Sequence, residues 1–210
     1  MKKLEIDTPF GTANAHLRSA EKPTAALVLG HGAGGGVNAR DLVAAADVAY
    51  SAGLSVVLVE QPYRVAGRRS PAPAHQLDTA WTAVIDRLVA SELRGLPLVV
   101  GGRSSGARVA CRTAEATGAS GVICLAFPLQ PPRRSGAAPA PSRLPELDAV
   151  TVPTLVVQGV SDRFGIPPAT ERRMVVQVVG DHSLRSDLGA VGEAVRTWLL
   201  RIVLRSRAAG

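Results

Sequence analysis

From residue 25 onward the chain alternates short, continuously apolar runs with longer segments whose apolar positions recur every three to four residues. The runs 25–30 (AALVLG), 54–60 (LSVVLVE), 98–101 (LVVG), 121–126 (GVICLA), 152–158 and 174–179 have the length of strands buried on both faces. Segments 39–52, 78–93, 105–117 and 188–204 carry helical spacing, and in the first of them Leu42, Val43, Ala46 and Ala49 fall on one stripe. Asp78 is placed to cap the second helix, which Gly95 and Pro97 close, and Gly118 closes the third. Stretches 61–74 and 128–148, rich in Pro, Arg, Ala and Ser, read as loops. The first 17 residues carry only a weak pattern, that of an edge strand or hairpin.

Strands separated by helices in this order imply βαβ units, and hence an α/β fold with a doubly wound, mostly parallel sheet. Helices on both faces would make it a three-layer α/β/α sandwich. There is no internal repeat, and the Pro-rich stretches are too short to separate two cores, so residues 1–210 are expected to form a single domain. Aromatic residues are only 3% of a chain that is 46% hydrophobic, so Val, Leu, Ile and Ala must build the core. That composition suits a parallel sheet.

Charge changes the picture little. The net charge of +7 raises the question of nucleic acid or an anionic surface, yet no zinc-finger spacing, aromatic-interleaved basic stretch or basic coiled-coil helix accompanies it. An Arg-rich solvated surface accounts for it, and no nucleic-acid partner is expected. Cys111 and Cys124 are too few for a disulfide framework and lie in apolar surroundings, where a free thiol packs as a small hydrophobe. The N-terminus meets Glu5 and Asp7 before any apolar run develops, and no stretch reaches the length of a membrane span. A cytoplasmic protein with no membrane association is the expectation.

The chemistry begins at Gly102-Arg103-Ser104-Ser105-Gly106, a G-x-S-x-G sequence. Alone it is a common tight turn. Here an apolar strand leads in and a helix with Ala107, Val109, Ala110 and Ala114 leads out, the context that a nucleophile elbow requires. A serine hydroxyl needs a base, and the base needs an orienting acid. On such an elbow the acid and then the histidine follow the serine along the chain. His182 is the only histidine beyond Ser104, just past the last strand. Asp162 follows the 152–158 strand and lies on the sheet edge where ligands bind. Asp181 is nearer to His182 in sequence but is placed to shape the turn, and Asp187 to start the last helix. Ser104, Asp162 and His182 are therefore the candidate triad.

A tetrahedral oxyanion needs backbone donors, one from the residue after the nucleophile and one from the loop after an early strand. Ser105 supplies the first. The run His31-Gly32-Ala33-Gly34-Gly35-Gly36 is placed for the second, with Ala33 as the donor and Gly34 next. The same run could be read as a phosphate loop, but it lacks the Lys-Ser/Thr of a P-loop and fits G-x-G-x-x-G only loosely.

With these pieces in place the chain resembles the α/β-hydrolase superfamily over nearly its whole length. More narrowly, it is similar to the small KANL/Tex-type, dienelactone-hydrolase-related serine hydrolases. The matching segments are LVLGHGAGGG (27–36), PYRVAGRR (62–69), GGRSSGARVA (101–110), LAFPLQPP (125–132), PTLVVQGVSDRFG (153–165) and GDHSL (180–184). The resemblance implies an α/β-hydrolase fold with Ser104, Asp162 and His182 as nucleophile, acid and base.

Many members of the superfamily insert a helical cap where this chain has only 128–148. No large cap domain is expected, so the site should be open and suited to a small ester, thioester or lactone. Arg64, Arg68, Arg69, Arg133 and Arg134 lie on loops at the same sheet edge. They could receive an anionic group on the substrate, or be solvated and hold neighbouring carbonyls. His31, Tyr63, Arg64, Arg68 and Arg133 are the candidate substrate-binding residues. The chemistry calls for no cofactor, and no residue cluster has metal-ligand spacing, so the expected partner is a small-molecule substrate. The sequence leaves the oligomeric state open. A hydrolase-fold binding or scaffold module that leaves its triad unused is the alternative function.

Overall fold

The structure, a computed structural model, describes residues 1–131 and 140–208, with side chains through Ile202. Arg133 and Arg134 lie outside the described residues. The chain runs through β1 (Lys2–Thr8), β2 (Gly11–Arg18), β3 (Ala26–Gly30), α1 (Arg40–Ser51), β4 (Ser55–Glu60), α2 (Pro62–Val65) and α3 (Ala74–Val89). It continues through β5 (Leu98–Arg103), α4 (Ser105–Thr113), β6 (Gly121–Leu125), α5 (Leu144–Asp148), β7 (Thr154–Gly159), β8 (Arg173–Val178) and α6 (Leu188–Ala208).

One eight-stranded sheet orders these strands β1-β2-β4-β3-β5-β6-β7-β8. β1 pairs antiparallel with β2, and β2 with β4, while every pairing from β4 to β8 is parallel. After β3 the chain crosses to β4 on one side, then returns to place β5 on the other. The carboxyl ends of β3 and β5 therefore flank the point where the winding reverses, which is where open α/β sheets form their crevice.

The central parallel strands are largely apolar because both faces are covered, and β3 and β6 are buried at every position. Successive side chains alternate between the faces. Leu27, Leu29, Ile123 and Leu155 meet Leu42 of α1 and Val191, Val195 and Trp198 of α6. On the opposite face Val28, Val100, Cys124 and Val156 meet Trp81, Val84 and Leu88 of α3 and Ala107 of α4. This is the three-layer arrangement the sequence predicts. Cys111 and Cys124 pack as buried free thiols with their sulfurs 3.4 Å apart.

Several boundaries differ from the sequence reading. The N-terminal residues do form the expected hairpin on the sheet edge, with Lys2 opposite Leu17 and Thr8 opposite Gly11. α3 begins at Ala74 after Pro73, not at Asp78. The Asp78 carboxylate instead accepts two hydrogen bonds from Arg112, at 2.8 and 2.6 Å, which fasten α4 to α3. α4 is shorter than expected, ending at Thr113, with turns carrying the chain to Gly118. The stretches read as loops contain the short helices α2 and α5. Among the described residues no helix is long and apolar enough to cross a membrane.

Candidate active site

Ser104 stands between β5 and α4 with φ 51° and ψ −108°, a backbone conformation that a non-glycine residue adopts only under strain. Its N–H donates to Leu125 O at 2.9 Å, and its carbonyl accepts from Arg108 N–H to open the helix. Close backbone approach makes the turn possible. A Cβ on Gly102 would stand 2.5 Å from Gly30 O, and one on Gly106 would stand 2.4 Å from the same oxygen. Two glycines flanking the serine thus let the β3 end press against the elbow.

The other two members of the candidate triad follow consecutive strands, β7 and β8. Gly159 closes β7, and a Cβ there would lie 2.4 Å from Asp181 O, so the loop after β8 is packed directly onto the loop that carries Asp162. The Ser161 hydroxyl donates to Gly180 O at 2.9 Å across the same seam. His182 then reaches both ways. Its Nδ1 lies 2.8 Å from Asp162 Oδ2, and its Nε2 lies 2.9 Å from Ser104 Oγ. The Asp162 side chain is fully buried, whereas the His182 ring keeps a partly exposed edge.

Asp162 is held by groups the sequence reading overlooked. Oδ1 accepts the Phe164 N–H at 2.9 Å, and Oδ2 accepts from Gln158 Nε2 at 2.7 Å. Gln158 is wholly buried on β7, and its amide also donates to Phe127 O and Gly165 O. A polar side chain inside an otherwise apolar strand was the one signal pointing to it. Asp181 faces Ser183, accepting from its N–H and its hydroxyl, and so shapes the turn. Asp187 accepts the Ala190 N–H at 2.9 Å as the cap of α6.

The loop after β3 lies against the elbow, where a Cβ on Gly32 would stand 3.6 Å from Ser104 Cβ. Ala33 is half-buried and Gly34 exposed. Ser105 opens α4, so its N–H belongs to the first turn, where backbone donors have no partner within the helix. His31 is buried with both ring nitrogens committed: Nε2 lies 3.1 Å from Gln61 N, and Nδ1 lies 2.8 Å from Gly32 O. A backbone N–H can only donate, so Nε2 accepts and Nδ1 carries the proton. Burial pushes the His31 pKa below its ordinary value, in keeping with that neutral form. The buried Tyr63 donates to Ala33 O at 3.0 Å, and burial pushes its pKa up to about 12. His31 and Tyr63 thus both hold carbonyls of the loop after β3.

Of the candidate arginines, Arg64 is half-buried and donates to Arg68 O at 3.4 Å, while Arg68 is exposed. Arg133 falls outside the described residues. Arg163, not anticipated from sequence, is exposed and lies over the Phe164 ring, which in turn meets the His182 ring edge-on at 4.4 Å. A second unanticipated pair lies beneath the elbow: Arg103 Nε is 2.8 Å from Asp41 Oδ2, and Arg103 Nη2 donates to His182 O at 3.0 Å.

A strained serine at the switch point, a histidine in line with a buried carboxylate and a glycine loop alongside thus meet at one edge of the sheet. Residues 23–189 match the alpha/beta hydrolase domain model, and the chain belongs to that family. No curated protein matches it. Among solved structures it is similar to Est1E from Butyrivibrio proteoclasticus at 17% identity, covering 97% of this chain and 100% of that one with a TM-score of 0.78. XC6422 from Xanthomonas campestris, described as an a/b serine hydrolase without lid, aligns at 21% identity, 94% of each chain and a TM-score of 0.73. Dienelactone hydrolase from Anabaena variabilis aligns at 16% identity over 95% of this chain and 96% of that one, with a TM-score of 0.72.

Proposed function

We propose that this protein is a serine esterase acting through an acyl-enzyme on small ester, thioester or lactone substrates, with Ser104 as nucleophile, His182 as base and Asp162 as orienting acid. The observation that carries the reading is the His182 ring, hydrogen-bonded at one nitrogen to Ser104 Oγ and at the other to a buried carboxylate. Asp162 fixes the proton on Nδ1, leaving the Nε2 lone pair to take the hydroxyl proton as Oγ attacks the acyl carbon. The oxyanion that forms is received by the N–H groups of Ala33 and Ser105, with Gly34 adjacent. His182 then returns its proton to the leaving oxygen or sulfur, and a water activated by the same ring hydrolyses the acyl-serine.

Est1E has been seen with ferulic acid bound, and another neighbour is a dienelactone hydrolase. Arg163 beside Phe164 places positive charge near His182, and Arg64 on α2 and Arg68 just after it follow Tyr63, which holds Ala33 O. Together they favour a small acyl substrate bearing a carboxylate.

Labelling with a fluorophosphonate, read by intact mass, tests the chemistry. Stoichiometric modification of wild type that vanishes in Ser104→Ala is expected. A folded but unlabelled wild type would sink the reading and favour a binding module with an unused triad. For the substrate class, Arg163→Ala and Arg64→Ala/Arg68→Ala are compared on matched anionic and neutral esters, and an unchanged ratio of kcat/KM in both would remove the anionic preference.

A further inference from the structure

We propose that Arg103 is a positioning residue, a guanidinium brace that sets the interval between Ser104 and His182. The inference rests on the reading of those two residues as nucleophile and base. Arg103 is the last residue of β5 and is bonded directly to Ser104, so its place is fixed by the elbow itself. From there it reaches three other pieces of chain. Nη2 donates to the His182 carbonyl at 3.0 Å, and Nε lies 2.8 Å from Asp41 Oδ2 in the first turn of α1. Nη1 lies against the glycine loop, 2.9 Å from where a Cβ on Gly32 would stand.

The loop that carries His182 is fastened on its far side to the acid loop, through Gly159 and Ser161. Arg103 supplies a hold from the nucleophile side. Without it, the Ser104 Oγ–Nε2 hydrogen bond would be, among the described residues, the remaining polar tie from the elbow to the His182 loop. Stability does not account for the arrangement, since a buried ion pair can commonly be exchanged for apolar side chains of similar volume without loss. What an apolar residue cannot do is set a cation 2.8 Å from a buried carboxylate while donating to a carbonyl, and a lysine lacks the planar group that spans the two. Asp41, with its side chain 2% exposed, sets a buried carboxylate against the guanidinium and so ties α1 to the elbow.

Three proteins separate positioning from packing. Arg103→Met/Asp41→Asn removes the pair without stranding a buried charge, Arg103→Lys keeps the charge but loses the fork, and wild type is the reference. Each is followed by thermal unfolding, by fluorophosphonate labelling rate, and by the downfield proton signal of the His182 Nδ1–H, which reports the ring's placement without any reaction. The expected result is cooperative unfolding in at least one variant, labelling slowed by about 10- to 100-fold, and a signal broadened or lost. Wild-type labelling and an unchanged signal in either folded variant would overturn the proposal. Should wild type itself not be labelled, loss of the signal in the variants would still uphold the brace, and only the hydrolase reading would fall.

Discussion

Tyr63 donates its hydroxyl hydrogen to the Ala33 carbonyl, and in doing so aims a group it never touches. In a trans peptide the C=O and the following N–H point in opposite directions. Holding Ala33 O therefore directs the Gly34 N–H, and the hold of His31 Nδ1 on Gly32 O directs the Ala33 N–H in the same way. Two buried side chains thus set the orientation of the two candidate donors in this loop. Tyr63→Phe removes one hold while keeping the ring. With a net hydrogen bond worth about 1 kcal/mol, kcat should fall about fivefold with KM nearly unchanged, as steady-state kinetics on a small ester would reveal.

His31 makes the fold sensitive to acid. Its folded pKa lies below the ordinary 6.5 because of burial, so the unfolded chain takes up its proton first as pH falls. The stability it contributes is whole above pH 6.5 and is lost as pH drops toward the folded pKa. Protonation would also turn Nε2 into a donor facing the Gln61 N–H. The melting temperature should fall between about pH 7.5 and about pH 5, and His31→Gln should flatten that slope. An equal slope in both proteins would assign the acid sensitivity elsewhere.

Asp162→Asn keeps the shape of the buried site and changes which proton the ring can hold. The amide can donate toward Nδ1, favouring the tautomer with the proton on Nε2, where it blocks attack. A loss of about 10⁴ in kcat is expected, the scale of such a change in a triad. Circular dichroism should stay close to that of wild type, while the melting temperature should drop, since the buried amide NH2 must face either the Phe164 N–H or Gln158 Nε2.

Gly102→Ala tests the elbow through its packing. The added methyl would meet the Gly30 carbonyl and the Gly106 backbone, neither of which can turn aside as a side chain can. Overpacking of this kind costs about 1–3 kcal/mol or more, so urea denaturation should show at least that loss. The smaller effect of the same change at Gly36, which a Cβ would leave free of contacts, provides the comparison.

Much of this was written in the sequence, for a physical reason. Strands buried on both faces must be continuously apolar, and the six parallel ones stood out. An edge hairpin that alternates with exposed lysines and acids, as β1 does, gives a weaker signal. Asp78 misled because a carboxylate ahead of an apolar stripe looks the same whether it caps a helix or binds an arginine on the next one. The triad residues could be nominated because their chemistry and order along the chain are constrained. Arg103 and Asp41 could not, since each acts through contacts with remote segments that no local pattern encodes, and Gln158 was marked only by its polarity within β7.

Ser104 and His182 are 78 residues apart in sequence, and the ring reaches the hydroxyl only after β7 and β8 have joined the sheet. A chain emerging from the ribosome would carry the serine long before it carried its base. On the proposed reading, the nucleophile stays silent until the loops carrying Asp162 and His182 are in place, and its reactivity appears with the closing steps of folding. A serine-directed probe added during refolding would accordingly act as a clock for completion, since long-range contacts of this kind are among the last a chain secures.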